Sequence, residues 1–261
     1  MNISLQHKTA LIGGSTQGIG LAIAQELATL GATCILLARD EKRLQETVAA
    51  LPRPFDQTHQ YAVADFFDIA AVDHAVQQLV KKGPIHILIN NTGGPKPGPV
   101  TEATATEFLT AFQQHIINNQ HLVQALLPGM KAAGYGRIIN IVSTSVRIPI
   151  PNLGVSNTIR AAVAGWAKTL AGEVGPFGIT VNNILPGLTY TQRLQHLISS
   201  IATARGVSIE KVADSMRESV PLRRFATAAE VAAVAAFLAT PAAAYVSGTS
   251  IPVDGGRTGS I

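Results

Sequence analysis

Between Leu11 and Gly20 the chain reads L-I-G-G-S-T-Q-G-I-G, an apolar strand running into spaced glycines and then a helix. Residues of this kind can surround a phosphate. Gly14, Gly18 and Gly20 follow at intervals of four and two, and Ile19, Ile23, Leu27 and Leu30 repeat at helical spacing, which puts Gly18 at a helix start. Glycine permits positive φ and close approach to the backbone, and the free N–H groups and dipole of a helix N-terminus favour an anion. The spacing is G-x-x-x-G-x-G rather than G-x-G-x-x-G, and alone it also fits a plain tight βα turn. Other chemistry is sparse. The seven histidines include no H-x-x-x-H pair and no carboxylates cluster at ligand spacing, so no metal site built from the protein is expected.

The elements that must position this turn alternate from end to end. Strand character begins at Lys8–Ile12 and returns at Thr33–Leu37, Gln60–Ala64, Ile85–Asn90, Arg137–Val142, Ile179–Ile184 and Ser250–Val253. Between them the spacing predicts helices over Glu41–Leu51, Ile69–Lys81, Thr104–Lys131, Val155–Val174 and Ala228–Leu238. Segments such as I-L-I-N and I-I-N-I-V are apolar at consecutive positions, as in a parallel sheet covered on both faces. The expected fold is therefore α/β: one doubly wound Rossmann domain over residues 1–261, with about seven parallel strands and ligands beyond their carboxyl ends. Leu188 to Pro221 is one long irregular piece with helix-like runs, a natural lid over a site.

Composition excludes several classes. With 47% hydrophobic and 14% charged residues the chain supports a sizeable core and is not a disordered one. Cys34 is the only cysteine, so no internal disulfide forms, which suits a reducing cytoplasm. No secretory leader is visible at Met1–Lys8, and Val231–Leu238 is too short to span a bilayer. A formal charge of +4 without Lys/Arg runs or basic-aromatic interleaving reads as ordinary surface, so neither a nucleic acid nor a membrane is expected as partner.

Further motifs stand in register with the glycine turn: Asn90-Asn91-Thr92-Gly93, Asn140-Ile141-Val142-Ser143, Pro186-Gly187-Leu188-Thr189-Tyr190-Thr191, and V-D-G-G at Val253–Gly256. From about Leu5 to Gly256 this order closely resembles the short-chain dehydrogenase/reductase superfamily, most of all its β-ketoacyl-acyl-carrier-protein reductase branch. The resemblance implies an oxidoreductase acting on a small carbonyl or acyl substrate with a nicotinamide cofactor, and a homodimer or homotetramer. It implies that Gly14, Ser15, Gly18, Ile19 and Gly20 line the pyrophosphate and that Asp65 meets the adenine amino group. Asn91 and Gly93 would border the adenosine ribose, and Pro186, Gly187 and Thr191 the nicotinamide.

At the end of the second strand, NAD readers place a carboxylate against the ribose 2′-OH. Here Ala38 stands there, followed by Arg39, and a guanidinium suits a 2′-phosphate, so NADP is expected over NAD. Asp40 would restore an acid if the register slipped by two. Arg39 also reads as an ordinary surface arginine.

The resemblance breaks at catalysis. The family uses a Ser, thirteen residues later Tyr-x-x-x-Lys, and an Asn in the preceding long helix. Ser143 fills the serine position, but the next slot reads Ser156-Asn157-Thr158-Ile159-Arg160, and counting back from Leu127-Pro128 puts His115 at the asparagine. Ser156 is a poorer proton source than a phenol, and Arg160 stays charged but cannot shuttle protons. His115 titrates and could replace the missing acid, or be a helix histidine satisfied by its neighbours. Tyr190 in the lid is a more remote donor that also reads as packing. Arg147, Ile148, Ile150 and Leu153 should flank a partly hydrophobic substrate. The helical stripe Ile159, Val163, Trp166, Leu170 and Val174 fits core packing, a subunit interface, or both. Three functional readings follow: an NADP-dependent reductase or dehydrogenase with atypical proton delivery; a nucleotide-binding protein without reductase activity, serving as sensor or regulator; and a protein that keeps the nucleotide but runs other chemistry such as isomerisation or elimination.

Overall fold

Strands β1 (Thr9–Gly13), β2 (Thr33–Ala38), β3 (Gln60–Val63), β4 (Ile87–Asn90), β5 (Gly136–Ile141), β6 (Ile179–Pro186) and β7 (Ser250–Val253) form one parallel sheet in the order β3-β2-β1-β4-β5-β6-β7. Both faces are apolar because side chains alternate and each set meets helices. In β1, Ala10 and Ile12 enter one buried layer and Leu11 the other; in β4, Ile87 and Ile89 part from Leu88 in the same way. The first layer is closed by α1 (Gly18–Thr29), α2 (Glu41–Ala50) and α9 (Ala228–Ala239), the second by α3 (Ile69–Val80), α5 (Asn118–Ala133) and α6 (Gly154–Val174). The computed structural model describes residues 1–260.

Strand order reverses between β1 and β4, where the crossovers leave to opposite faces. This switch point opens a crevice beyond the strand ends, into which the glycine turn after β1 and the Asn91–Gly94 loop after β4 both project.

A polar ladder crosses the buried sheet. Asn90 Nδ2 donates to Asn140 Oδ1 at 2.8 Å, Asn140 Nδ2 to Asn183 Oδ1 at 2.9 Å, and Asn183 Nδ2 to Ser250 Oγ at 3.0 Å. These residues are exact partners in the strand register, so the ladder locks β4 to β7 against slippage. Replacing Asn140 by Leu keeps the branched shape at a larger volume but strands a donor on Asn90 and an acceptor on Asn183. The expected loss is about 2–4 kcal/mol, read as a lower urea midpoint at unchanged slope.

The predicted single helix over Thr104–Lys131 is two helices. Helix α4 (Ala105–Phe112) opens on a capping box between Thr104 and Glu107, a π-helical turn occupies Gln113–Ile117, and α5 follows. The apolar spacing survives a one-residue bulge, which is why the sequence read as continuous; such turns commonly mark functional sites. His115 lies in it.

The stripe on α6 is intramolecular core: Ile159, Val163, Leu170 and Val174 are buried, while Trp166 Nε1 donates to Gln120 Oε1 at 2.9 Å. Within Leu188–Pro221, α7 (Gln192–Arg205) and α8 (Ile209–Glu218) form a hairpin with its own small apolar cluster of Leu194, Ile198, Ala202, Val212 and Ala213, separate from the two main layers.

Candidate active site

The glycine turn is built as an anion cradle. Gly14 and Gly18 sit at φ +55° and +56°, where other residues are strained, and a Cβ on Gly20 would lie 2.2 Å from the Gly14 carbonyl oxygen. Gln17 opens α1 in extended backbone without a side-chain cap, and no acid occupies the first turn, so the leading N–H groups are free and unopposed. Ser15 is completely buried, yet its Oγ has no hydrogen-bond partner. An orphaned hydroxyl inside a loop of exposed amides fits a phosphate oxygen. Ile19 is half-buried against the first layer and anchors the helix start.

Asn91 Nδ2 donates to the carbonyls of Gly13 and Gly14 at 3.1 and 3.2 Å, so its side-chain amide pins the turn from beneath. Gly93 keeps open space where a side chain would stand. Pro186 ends β6, and Gly187 donates its N–H to the Val253 carbonyl at 3.0 Å. The Thr191 methyl comes within 3.4 Å of a Cβ position on Gly18, which brings the residue that caps α7 against the glycine turn.

At the open ends of β2 and β3, Arg39 Nη1 lies 3.8 Å from Asp65 Oδ2, both exposed. Asp65 Oδ1 also accepts the Phe67 N–H at 3.0 Å. The register question is resolved: β2 ends at Ala38, and Asp40 caps α2 by accepting the Arg43 N–H at 3.1 Å, with a further ion pair to that side chain.

Ser143 follows β5 with its Oγ accepting the Ser145 N–H at 3.1 Å, which leaves its own O–H free to donate. One helical turn apart on α6, Ser156 and Arg160 share a face, both buried. Arg160 Nη1 donates to the Ile141 carbonyl at 2.9 Å, two residues before Ser143. Burial and the nearby Arg193 lower its pKa to about 10, so it stays charged at neutral pH.

His115 is neutral there. Burial, with Arg160 and then Arg193 adding repulsion, pushes its pKa down to about 2, and Nε2 has no hydrogen-bond partner. The expectation of an imidazolium acid therefore meets a site that suppresses it. Tyr190 is also accounted for: its ring stacks on Phe225 with centroids 6.2 Å apart. Arg147, expected at the substrate flank, donates to the Ser250 carbonyl at 3.3 Å. Ile148 and Ile150 do line a cavity of about 300 Å³ with Thr144, Ser219 and Arg257. Cys34 offers no chemistry; burial raises its thiol to about 12.

Arg193 gave no signal in the sequence. It belongs to the first turn of α7, in a polar run that reads as surface, and only the chain reversal after β6 brings its guanidinium against Gly94, beside His115 and Arg160.

A family model described as enoyl-(acyl carrier protein) reductase matches residues 14–258. The D-beta-hydroxybutyrate dehydrogenase of Rhizobium meliloti is 34% identical over 96% of this chain and 98% of its own. The chain is a short-chain dehydrogenase/reductase. Among other members of the superfamily, the 3-oxoacyl-acyl-carrier-protein reductase of Haemophilus influenzae is 32% identical, covering 97% of this chain and 98% of its own. The crystal structure of L-sorbose reductase from Gluconobacter frateurii, complexed with NADPH and L-sorbose, matches with a TM-score of 0.94 at 31% identity, covering 100% of both chains. The seven-stranded parallel sheet expected from the sequence is thus the fold of a short-chain reductase. Among the described residues of this one, no helix is long and apolar enough to cross a membrane, and no group of three potential metal ligands occurs.

Proposed function

We propose that this short-chain dehydrogenase/reductase uses NADP to reduce a small ketone or oxoacyl compound, or to oxidise the matching alcohol, with proton delivery that does not rely on a phenol. The observation that carries the reading is the orphaned Ser15 hydroxyl within the glycine cradle, at the switch point of a reductase fold. Crystal complexes of related reductases with NADPH support the same cofactor. The dinucleotide, when bound, supplies the hydride that reaches the carbonyl carbon. Gly14, Ser15, Gly18, Ile19 and Gly20 would hold its pyrophosphate, and Asp65 and Gly93 its adenosine half. Pro186, Gly187 and Thr191 would meet the nicotinamide.

The chain's own residues would then act on the substrate oxygen. The free Ser143 hydroxyl donates a hydrogen bond to it, and Arg160, fixed below by Ile141, supplies a permanent positive field for the developing alkoxide. Ser156, in the place of the family's tyrosine, relays a proton from water rather than providing an acid of its own. His115, neutral in its π-turn, supplies no proton at neutral pH. The hairpin of α7 and α8 closes over the site as a lid, and self-association into a dimer or tetramer belongs to the same proposal. The second reading, nucleotide binding without turnover, rests on Ser156 and Arg160 and stands if bound NADPH is never oxidised.

Arg39 should read the 2′-phosphate. Its weak exposed pairing with Asp65 exchanges readily for a phosphate. Fluorescence titration is expected to show NADPH bound more tightly than NADH. Arg39→Glu should lower NADPH affinity by about 10- to 100-fold while sparing NADH, and an unchanged preference would move the 2′-phosphate elsewhere.

A further inference from the structure

Two guanidiniums and an imidazole meet in the cleft, and no carboxylate joins them. The ion pairs among the described residues are Arg39–Asp65, Arg43–Asp40, Arg217–Asp214 and Arg224–Glu230, and neither Arg160 nor Arg193 takes part. Arg160 is only 8% exposed, with a single neutral carbonyl as its hydrogen-bond partner. A buried charge without a counter-charge is destabilising, and the exposed Arg193 adds repulsion to the buried Arg160. His115, 2% exposed, leaves Nε2 without a partner beside them.

Arg193 has room at this place because residue 94 is a glycine. Its Nη1 and Nη2 lie 2.6 and 2.7 Å from where a Cβ would stand on Gly94, so any side chain at 94 would displace the guanidinium. The residue also sits in the first turn of α7, a 14-residue helix, where a positive charge opposes the helix dipole. Everything that disfavours a cation at this position favours an anion brought against it. The cavity lined by Ile148 and Ile150, on the loop after β5, offers apolar side chains and is also lined by Arg257.

From this convergence we infer that the substrate is itself an anion: a free oxo acid or hydroxy acid whose carboxylate is gripped by the Arg193 fork, backed by Arg160, with its carbon chain along Ile148 and Ile150. The inference rests on the reductase reading and narrows its substrate class, away from neutral ketones and acyl thioesters. Placing the carboxylate on Arg193 also explains why the arginine stands on the lid base. Binding of the substrate would draw the first turn of α7 towards the cleft floor and cancel the repulsion within it.

Calorimetric titration tests this with 4-phenyl-2-oxobutanoate and its ethyl ester, each added to the protein with and without NADP⁺. NADPH affinity and NADPH oxidation are measured separately. The acid should bind about 10- to 100-fold more tightly than the ester, and Arg193→Gln should erase that difference with NADPH affinity retained. Equal binding of acid and ester, or no binding of either, would overturn the inference. So would an Arg193→Gln variant that weakens NADPH by the same factor as the acid, because the guanidinium would then serve the cofactor's diphosphate. Preferential binding of the acid without any NADPH oxidation would support the anion site and refute the reductase reading, so the two failures are distinct.

Discussion

Installing a phenol and an ammonium in α6, as Ser156→Tyr with Arg160→Lys, is expected to raise the rate of NADPH-dependent reduction of a simple 3-oxoester by ~10²–10⁴. The two positions lie one turn apart on the helix face that meets the end of β5, so the added groups would stand together at the cleft floor. A phenol close to a lysine ammonium ionises more readily and donates a proton directly to the alkoxide, which a serine hydroxyl does poorly. Arg160→Lys alone should achieve little, because charge is already present and the acid is what is missing. Ser156 is 7% exposed, so the tyrosine ring must extend into the cleft and not into the core. A doubly substituted protein that folds and binds NADPH, yet reduces no faster than the parent, would show that the proton already arrives by a competent route.

Gly20→Ala should weaken cofactor binding sharply. The new methyl would lie 2.2 Å from the Gly14 carbonyl oxygen and 2.7 Å from Asn91 Nδ2, and the nearer atom is backbone that cannot rotate aside. The turn must open, and with it the amide cradle and the Asn91 clamp on Gly13 and Gly14 come apart. Overpacking of this kind costs about 1–3 kcal/mol, so NADPH affinity should fall about 10- to 100-fold, while thermal unfolding of the cofactor-free protein drops modestly. Wild-type affinity in this variant would mean that the pyrophosphate is held elsewhere.

Periodicity made the sheet legible. Strands apolar at consecutive positions can only be covered on both faces, and β1 and β2 end within a residue of where hydrophobicity alone placed them. The glycine turn was legible because its residue types serve backbone geometry, which is local. Interactions across the chain were not. The Asn90–Asn140–Asn183 ladder depends on cross-strand register, so three asparagines in three separate strands gave no local sign of one another. The π-turn at Gln113–Ile117 leaves the apolar spacing nearly intact and hid inside a helical pattern. Arg193 lies 33 residues from Arg160 in the sequence and reaches it only because the chain doubles back after β6. His115 was visible as a titrating residue, but its neutrality comes from burial and two arginines that spacing cannot reveal.

Single-turnover oxidation of protein-bound NADPH by an oxo compound, followed from pH 6 to 9, bears most directly on the proposal of reduction without a titrating acid in the cleft. With His115 held to about 2 and Arg160 at about 10, neither group changes charge across that interval. The expected result is slow, complete oxidation at a rate independent of pH. No oxidation with any carbonyl, or a rate that falls away with a single ionisation inside the interval, would contradict it.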